Sequence, residues 1–500
     1  MADHFFKRTY SKVAELADDG LASVDKLTEK LRDKRFCIGI TGLSQSGKST
    51  FITSLINQLL QHKTASLPGF SPVLSGRLLN VKVHPLDDKH LASFPYDLAY
   101  QGLTQAQPQW PESTKDLSGC LLELRLAQKV SKLNPFGREQ FSLFLEIRDY
   151  PGEWLLDLPL RDMSYSRWCA QCSAQYTQSP RTELLGSLLN DLQQLDPLAE
   201  ADEDKLKALN TRFIQFLKAC KNHSAGDVRE ESIGSDVSSG NKSLSLIQPG
   251  RFLIPGQVDD ASILCFLPLL KCGSYTEGQL NNASHNSYFK VCERRYKRYV
   301  KELVDPFYKT FFSRIDRQLV LVDVVSALNA GPQYIDDMRQ ALTNITDSFA
   351  YGSQNRLFQL FNPKIDKVIF AATKVDQVVS EDHEAVRNLL EVLVNQAYKN
   401  AQHEGVSPLC EATAAVRSSK EIKHAGELGI TGIDADGSAI GYTHPTIPSR
   451  IPEGDEWQPF LEWTIPKLNP PKGLSYQNSD AIPHIRLDSV LNTLIGDKCV

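Results

Sequence analysis

The chain has 500 residues, of which 41% are hydrophobic and 23% are charged, and its formal net charge at pH 7 is −5. One ordinary hydrophobic core does not extend over a chain of this length, so we expect two or more lobes. The slight negative charge gives no overall attraction to nucleic acid, and no apolar run approaches the ~18 residues that a transmembrane helix needs. The sequence therefore predicts a protein without a transmembrane segment and without a nucleic-acid partner.

Cysteine usage and the first residues of the chain indicate its compartment. The 10 cysteines show no regular spacing, and several, such as Cys37, lie in apolar strand-like runs. The first residues lack the long apolar core of a signal peptide. We expect reduced thiols and a cytoplasmic protein, with peripheral contact to the inner membrane as an alternative.

The first predicted elements are a helix and then a strand, a loop and a second helix. Apolar positions among charges within 4–32 predict an amphipathic helix, and we assign 1–34 to it. An apolar run over 36–41 ends in glycine, and helical spacing follows over 50–60. The Pro-punctuated stretch 67–111 has no clear pattern.

Two strand-like runs come next, at 120–126 and 141–147. The turn signals between them predict a β-hairpin, which completes the first part of an α/β domain over 35–153. Residues 154–316 then hold helix-like segments around a polar, Ser- and Gly-rich stretch. We predict a helical insertion, with helices at 184–198, 205–220 and 288–313 and a flexible segment at 222–245.

The alternation of strands and helices resumes after the predicted insertion. Continuous apolar runs are typical of parallel strands buried on both faces. We assign the second part of the domain to 317–420 and a β-rich extension with a terminal helix to 421–500. The predicted elements are strands at 318–325, 367–372 and 409–416 and helices at 334–349, 383–397 and 487–494. The fold class is α/β, a doubly wound and mostly parallel sheet with its ligand at the carboxyl ends of the strands.

The strongest motif lies between the first strand and the helix that follows it. Residues 42–49 satisfy G-x-x-x-x-G-K-[ST], a P-loop whose backbone N–H groups surround phosphates. Lys48 would reach the β- and γ-phosphates, Ser49 would ligate Mg²⁺, and Thr50 supplies a further hydroxyl. The predicted nucleotide contacts here are Gly42, Ser44, Gln45, Ser46, Gly47, Lys48, Ser49 and Thr50.

A second motif, D-x-x-G, closes the strand at 141–147. Asp149 would hold a water on Mg²⁺, and the Gly152 N–H would sense the γ-phosphate. The tetrapeptide alone is an ordinary turn, and only its place in the chain makes it informative. Switch I also needs a hydroxyl that ligates Mg²⁺. Thr114 stands in the right place, with Ser113 and Thr104 as rivals.

Two further strand ends would bind the base. Residues 373–376 form a variant of N-K-x-D with Thr373, Lys374 and Asp376. The Asp376 carboxylate can accept from both guanine N1–H and the exocyclic amine, a pair of donors that adenine lacks. Among residues 413–416, Ala415 and Val416 would offer a backbone N–H to the guanine carbonyl. These features predict GTP and GDP with Mg²⁺ as ligands.

The order of these motifs resembles the translation-factor-related class of GTPases, including the antiparallel second strand. The strings FCIGITGLSQSGKSTF, LFLEIRDYPGEW, VLVDVVSALNAGP and FAATKVD are similar to the YcjX-like family of bacterial stress-associated P-loop proteins. The resemblance implies a cytoplasmic GTP- and GDP-binding protein with a G domain, a large helical insertion and a link to envelope stress. It leaves the partner unnamed.

Two residues depart from the general G-protein pattern. Thr373 replaces the usual asparagine, as in dynamin-like GTPases, so the preference for guanine is expected to soften. Glu153 follows D-x-x-G where Ras-like proteins hold a water-orienting glutamine, and an anion beside an anionic phosphate predicts slow hydrolysis. The catalytic candidates are therefore Lys48, Thr114, Gly152 and Glu153, and an arginine could come from Arg161, Arg167 or a protein partner.

Other patterns are interpreted as structural. Cys169 and Cys172 with Cys265 and Cys272 fit the spacing of a zinc site poorly. Asp434, Asp436 and Ser438 begin like a calcium loop, but a hairpin turn fits better. The basic, aromatic run 293–301 could suit acidic lipid or RNA, yet a solvated helix face packed through its tyrosines is favoured.

Three functions remain in competition. A regulatory GTPase that acts on an unidentified effector or activator, which could lie at the membrane, agrees best with the motif order. A small-molecule kinase or ATPase would not need Asp376 and would prefer ATP. A scaffold that nucleotide merely stabilises would bind its partner regardless of nucleotide.

Overall fold

The computed structural model describes residues 34–42, 46–86, 88, 91–112, 116–128, 140–178, 181–222, 248–250, 266–350, 365–403, 407–424, 426–474 and 481–499. The helix predicted within 4–32 and nearly all of the segment 222–245 lie outside these residues.

A mostly parallel sheet forms the centre of the molecule. Its strands are β1 (Lys34–Gly42), β2 (Leu78–His84), β3 (Ala92–Ser93), β4 (Ser118–Ala127), β5 (Gln140–Asp149), β6 (Arg317–Val322), β7 (Lys367–Ala372) and β8 (Ser407–Ala412). The order is β2-β4-β5-β1-β6-β7-β8, and β3 pairs with β4. Neighbours from β5 to β8 run parallel, whereas β4 is antiparallel to β5 and β2 is antiparallel to β4. The predicted α/β class, the mostly parallel sheet and the antiparallel second strand are confirmed.

The helices in chain order are α1 (Lys48–Leu60), α2 (Ser71–Leu74), α3 (Tyr96–Thr104), α4 (Gly152–Asp157), α5 (Tyr165–Tyr176), α6 (Arg181–Leu185), α7 (Ser187–Gln194), α8 (Glu203–Asn222), α9 (Glu277–Asn281), α10 (Tyr288–Tyr299), α11 (Asp305–Thr310), α12 (Val324–Ala330), α13 (Pro332–Ala350), α14 (His383–His403), α15 (Gln458–Glu462) and α16 (Leu487–Ile495). Short 3₁₀ turns follow several of them, including Leu158–Arg161, Phe312–Arg314 and Gly496–Cys499.

Side-chain alternation along β6 divides the core into two faces. All six residues of β6 are buried. Leu319 and Leu321 pack in a cluster with α1 and α16. Val320 and Val322 pack with α12 to α14 and with the helices between β5 and β6. Because successive side chains of a strand point to opposite faces, one apolar strand serves both layers, as a doubly wound sheet requires.

Between β5 and β6, residues 152–314 (the 152–314 segment) contain the helices α4 to α11, joined by turns and loops, and a β-bridge pairs Glu200 with Ser287. The helix predicted over 288–313 is interrupted by a π-helical turn at Val300–Val304, which follows α10. The next α-helix, α11, begins at Asp305 with Pro306 in its first turn. Proline has no N–H for the helical ladder, so the regular pattern breaks there. The helix predicted over 184–198 is divided at Gly186, whose φ of 50° favours glycine.

Three other boundaries differ from the predictions. The strand predicted over 318–325 ends at Val322, because the Asp323 side chain accepts the Ser326 N–H at 3.0 Å and starts α12. The last parallel strand, β8, ends at Ala412, earlier than the predicted 409–416. Edge strand β2 and helix α3 lie within 67–111, where no element was predicted.

A small antiparallel sheet follows β8. It consists of β9 (Ser419–His424), β10 (Glu427–Ile433) and β11 (Ala439–Tyr442). The Asp434 carboxylate accepts the N–H groups of Asp436 and Ser438 at 3.0 and 2.8 Å, and Gly437 has a φ of 83°. The predicted hairpin turn is confirmed at the position that begins like a calcium loop.

Candidate functional site

The P-loop motif lies at the carboxyl end of β1, as predicted. Gly47 has a φ of 76°, a conformation that favours glycine, and α1 begins at Lys48. At Gly42 a Cβ atom would lie 1.8 Å from Ser46 Oγ and 3.0 Å from Ser46 Cβ, so a side chain here would force Ser46 to move. Ser44 and Gln45 lie outside the described residues, and Thr50 is half-buried in the first turn of α1.

Lys48 meets the D-x-x-G segment directly. Its Nζ lies 2.7 Å from Asp149 Oδ1, and it also donates to the Tyr150 carbonyl oxygen. Burial lowers the pKa of the Lys48 ammonium, and the Asp149 carboxylate opposes this shift. The structure therefore brings together Lys48, which is predicted to bind phosphate, and Asp149, which is predicted to bind Mg²⁺.

The candidate magnesium residues are only partly placed. Asp149 is buried, and its Oδ2 accepts from Ser118 Oγ at 3.2 Å. Ser118 was missed by the sequence analysis, although it stands opposite Asp149 in the β4–β5 ladder. Ser49 follows Lys48 in α1, whereas Thr114 lies outside the described residues. Hydroxyl and carboxylate oxygens are ligands that Mg²⁺ prefers, so the donors present fit this ion.

An aromatic cluster holds the residues that follow Asp149. The Tyr150 ring lies 5.5 Å from the ring centroids of both Phe307 and Phe311, and its hydroxyl donates to Gln318 Oε1 at 2.9 Å. The Trp154 ring stands at 90° to Phe307, with centroids 5.2 Å apart. Burial raises the pKa of Tyr150 well above its ordinary value, so this phenol stays neutral. The D-x-x-G segment thus packs on α11.

The other end of α4 has polar anchors. Asp157 Oδ1 accepts the Gly250 N–H at 2.6 Å, and its Oδ2 accepts the Tyr299 hydroxyl at 2.5 Å. A Cβ on Gly250 would lie 2.2 Å from the Glu153 carbonyl oxygen, so only glycine fits beside this turn. The main chain of Glu153, in the first turn of α4, is therefore packed against Gly250.

The predicted base-binding residues follow β7. The Thr373 N–H donates to Val322 O at 2.9 Å, while its buried hydroxyl has no hydrogen-bond partner among the described residues. Lys374 has a φ of 60°, and its Nζ lies 2.7 Å from Asp323 Oδ2. Asp323 was not among the predicted site residues, although it is the one charged position in an otherwise apolar run.

The Asp376 carboxylate is held by the loop after β8. Its Oδ2 accepts the Ser418 N–H at 2.8 Å and the Ser418 hydroxyl at 2.7 Å. Burial raises the pKa of Asp376, and both Ser418 bonds oppose that shift. Ser418 is another residue that sequence reasoning missed, since it stands two positions beyond the predicted 413–416 motif.

The predicted loop residues Ala415 and Val416 lie next to α1. Ser54 Oγ, on α1, donates to Ala415 O at 2.5 Å. Val416 is buried in a small apolar cluster with Leu103, Leu474 and Ile482. Because α1 also carries Lys48 and Ser49, the residues predicted to bind phosphate and those predicted to bind the base share one edge of the sheet.

The two candidate arginines lie on the 152–314 segment. Arg161 Nε lies 2.8 Å from Asp305 Oδ1, and its guanidinium stacks 3.6 Å from the Tyr308 ring centroid. Arg167 is exposed in the first turn of α5. Arg161 is therefore already bound within this segment, and a catalytic role would require it to leave Asp305.

The other patterns have structural surroundings. Cys169, Cys172 and Cys272 are buried thiols, and Cys265 lies outside the described residues. In the part of the chain that the structure describes, no group of three or more His, Cys, Asp or Glu side chains could hold a metal ion. In the basic run, Tyr296 and Tyr299 are buried as predicted. Every helix of the described ranges is too short or too polar to cross a membrane.

The strand order, the P-loop at the end of β1 and the helix behind it are consistent with the P-loop class of nucleotide-binding proteins. Comparison with known proteins narrows this class. A model of the YcjX-like family, DUF463, matches residues 36–230 and 235–499. The chain belongs to the YcjX-like family.

Two relatives are similar to the chain over nearly their whole length. A protein named "Ras-like GTPase YcjX" from Escherichia coli (strain K12) is 35% identical over 483 residues, which cover 93% of this chain and 96% of the relative. A protein of the same name from Shewanella oneidensis is 34% identical over 497 residues, 95% of this chain and 98% of the relative.

Proposed function

We propose that this chain is a GTPase that binds GTP and GDP and acts as a molecular switch. One observation carries the proposal: Asp376, the carboxylate suited to guanine, lies on loops that are bonded through Ser54 to the same helix that presents Lys48. A phosphate-binding lysine and a guanine-selective carboxylate at one sheet edge fit a single nucleotide. Both relatives are named as Ras-like GTPases, which supports the same activity.

Each side of the site has its own task. The N–H groups around Gly47 and the Lys48 ammonium would bind phosphates, and Asp376 would accept from the guanine edge. Mg²⁺, held by Ser49, Asp149 and Thr114, would neutralise charge on the β- and γ-phosphate oxygens. A bound phosphate would compete with Asp149 for Lys48, so nucleotide binding is coupled to the position of the D-x-x-G segment.

We further propose that hydrolysis is slow. Glu153 places an anion where a water-orienting amide would help, and the contact of its main chain with Gly250 limits how far it can turn away. Single-turnover hydrolysis should therefore be slow for the unmodified chain and faster for Glu153→Gln. Fast GTP hydrolysis by the unmodified chain, at a rate that Glu153→Ala does not change, would contradict this proposal.

The predicted helical insertion, residues 154–316, would be an inserted domain that responds to the nucleotide. Tyr150 and Trp154 join the D-x-x-G segment to Phe307, so a shift of that segment must displace the aromatic cluster. A protein effector or activator would bind the displaced surface. The family resemblance supports a cytoplasmic role in a bacterial stress response.

Calorimetry tests the proposed function. GDP, a non-hydrolysable GTP analogue and ADP are titrated into nucleotide-stripped protein with Mg²⁺, with Lys48→Ala as the variant and Lys63→Ala, at an exposed lysine beyond α1, as its matched control. We expect guanine nucleotides to bind more tightly than ADP and to lose roughly 100-fold or more in Lys48→Ala only. Equal or tighter ADP binding would favour a kinase or ATPase, and partner capture that is independent of nucleotide would favour a scaffold.

A further inference from the structure

A C-terminal segment, residues 482–486, runs between α1 and the loop after β8. On the loop side, the Ile485 N–H donates to Ala414 O at 2.8 Å and the Ala414 N–H donates to Ile485 O at 3.0 Å. Thr413 Oγ1 donates to the same Ile485 oxygen at 2.8 Å, and the Arg417 N–H donates to Pro483 O at 2.7 Å. Four hydrogen bonds therefore pin this loop to the 482–486 segment.

On the other side, two side chains of α1 hold the same segment. The Ile482 N–H donates to Asn57 Oδ1 at 2.9 Å, and Gln58 Nε2 donates to Ile482 O at 2.6 Å. Both side chains are buried. Since α1 begins at the P-loop lysine, the 482–486 segment fixes the distance between the phosphate-binding helix and the loop predicted to contact the base.

These contacts decide which N–H groups of the loop remain for a ligand. The Ala414 N–H is occupied by Ile485 O. The next two, on Ala415 and Val416, donate to no acceptor in the part of the chain described. Ala415 is also half-buried, so part of this residue is accessible from solvent. Backbone donors suit the guanine O6 acceptor and oppose the adenine N6 amine, which is itself a donor.

We propose that the 482–486 segment is a specificity-determining part of the nucleotide site, which holds the 413–416 loop so that its N–H groups read the O6 position of the base. The inference rests on the proposed guanine-nucleotide function. It assigns a binding role to the C-terminal residues, which carry none of the nucleotide motifs.

The test removes one bond to the segment without changing the shape of the side chain. Thr413→Val loses the hydroxyl that reaches Ile485 O, and Thr413→Ser restores it. Gln58→Leu removes one of the two hydrogen bonds that α1 makes to Ile482. The matched control is Thr431→Val, since Thr431 Oγ1 makes a similar bond to Ile440 O at 2.9 Å within the small sheet. Affinities for GDP, IDP and ADP are measured with melting temperature for each variant.

We expect Thr413→Val and Gln58→Leu to weaken GDP and IDP equally, by about three- to tenfold, because both bases carry O6 and one hydrogen bond is lost. ADP should stay within about twofold, and Thr413→Ser and Thr431→Val should resemble the unmodified chain. Equal weakening of all three nucleotides, or an unchanged ratio of GDP to ADP affinity, would overturn the role of the segment alone. An unmodified chain that does not prefer GDP to ADP would overturn the proposed function as well.

Discussion

Tyr150 and Trp154, in the segment that contacts Lys48, pack through aromatic rings on Phe307 of α11, and the Tyr150 hydroxyl adds a bond to Gln318. The Asp376 carboxylate, in contrast, is held by hydrogen bonds from Ser418. Ring contacts lack strict direction, and the centroid distances of 5.2 to 5.5 Å on Phe307 suit several orientations. The bonds of Asp376 to Ser418, at 2.7 and 2.8 Å, tolerate little movement. The two sides of the site therefore differ in how easily they can move.

Under the proposed function, this difference assigns different tasks to the two regions. The base is the same in GTP and GDP, so its binding residues have no reason to move during a cycle. The γ-phosphate is present in only one of these nucleotides, so the segment that senses it must be able to shift. We infer that the aromatic cluster is the adjustable side and the hydrogen-bonded loops are the fixed side.

The largest effect is expected when the aromatic cluster is broken. Phe307 is buried and lies within ring contact of Tyr150, Trp154, Phe311 and Phe312. Phe307→Ala should lower the free energy of unfolding by about 3–5 kcal/mol, measured by denaturant unfolding, because it leaves a cavity in the core. The GTP analogue should lose more affinity than GDP.

Phe307→Leu is the matched variant, since it keeps most of the apolar volume and removes the ring. It should restore much of the stability. If Phe307→Ala weakens GDP and the GTP analogue by the same factor, the cluster supports the fold and has no part in sensing the γ-phosphate.

A smaller effect is expected on the fixed side. Asp376→Asn should weaken GDP by about 10- to 30-fold, since the amide cannot accept from both guanine donors, and should leave ADP nearly unchanged. The same change should improve binding of xanthosine diphosphate, whose oxygen at position 2 can accept from the new amide. Calorimetry with the three nucleotides measures both shifts. An equal loss for GDP and ADP would contradict base reading by Asp376.

The smallest effect is expected at the amino ends of the parallel strands, on the side of the sheet away from the candidate site. Arg317, at the start of β6, donates to Asp366 and Asp497, and its hydrogen bonds lower the pKa of Asp497 to about 2. A carboxylate with a lowered pKa stabilises the fold above its unfolded value of about 3.9, and this stability is lost as the pH falls through about 2. The Asp497 side chain is 46% exposed, so solvent screening limits the contribution to about 1 kcal/mol or less.

Unfolding of the unmodified chain and of Asp497→Asn, compared between pH 7 and pH 2, measures this contribution. The two chains should differ at pH 7, and the difference should shrink below about pH 4. Their nucleotide affinities should match, because the pair lies away from the carboxyl ends of the strands. If the difference in the free energy of unfolding grows as the pH falls, the Asp497 carboxylate does not stabilise the fold in the way described.

Sequence patterns predicted the sheet well because its strands are long apolar runs. The strand at 367–372 and the start of the terminal helix at Leu487 agree with the structure to the residue. Edge strand β2 was not predicted, because only Leu78 and Val81 of its seven residues are buried and its pattern of apolar residues is weak. A strand at the edge of a sheet carries less apolar signal than a central one.

In the site, residues within contiguous motifs could be found and their supporting residues could not. Lys48, Asp149 and Asp376 stand at fixed places in short motifs. Ser118 and the 482–486 segment act through contacts with residues far along the chain, such as Asp149 and Ala414. No spacing rule links such positions, since only the folded sheet brings them together.

The order of the strands in space also constrains the order of events during synthesis. β1 lies between β5 and β6 in the sheet, yet the chain makes all of the 152–314 helices before β6 appears. At ~5–20 residues per second, the P-loop strand waits roughly 10–35 seconds on the ribosome with one unpaired edge. An open apolar edge invites pairing with other chains. Slowing translation within this interval should therefore raise the demand for chaperones more than slowing it after residue 322.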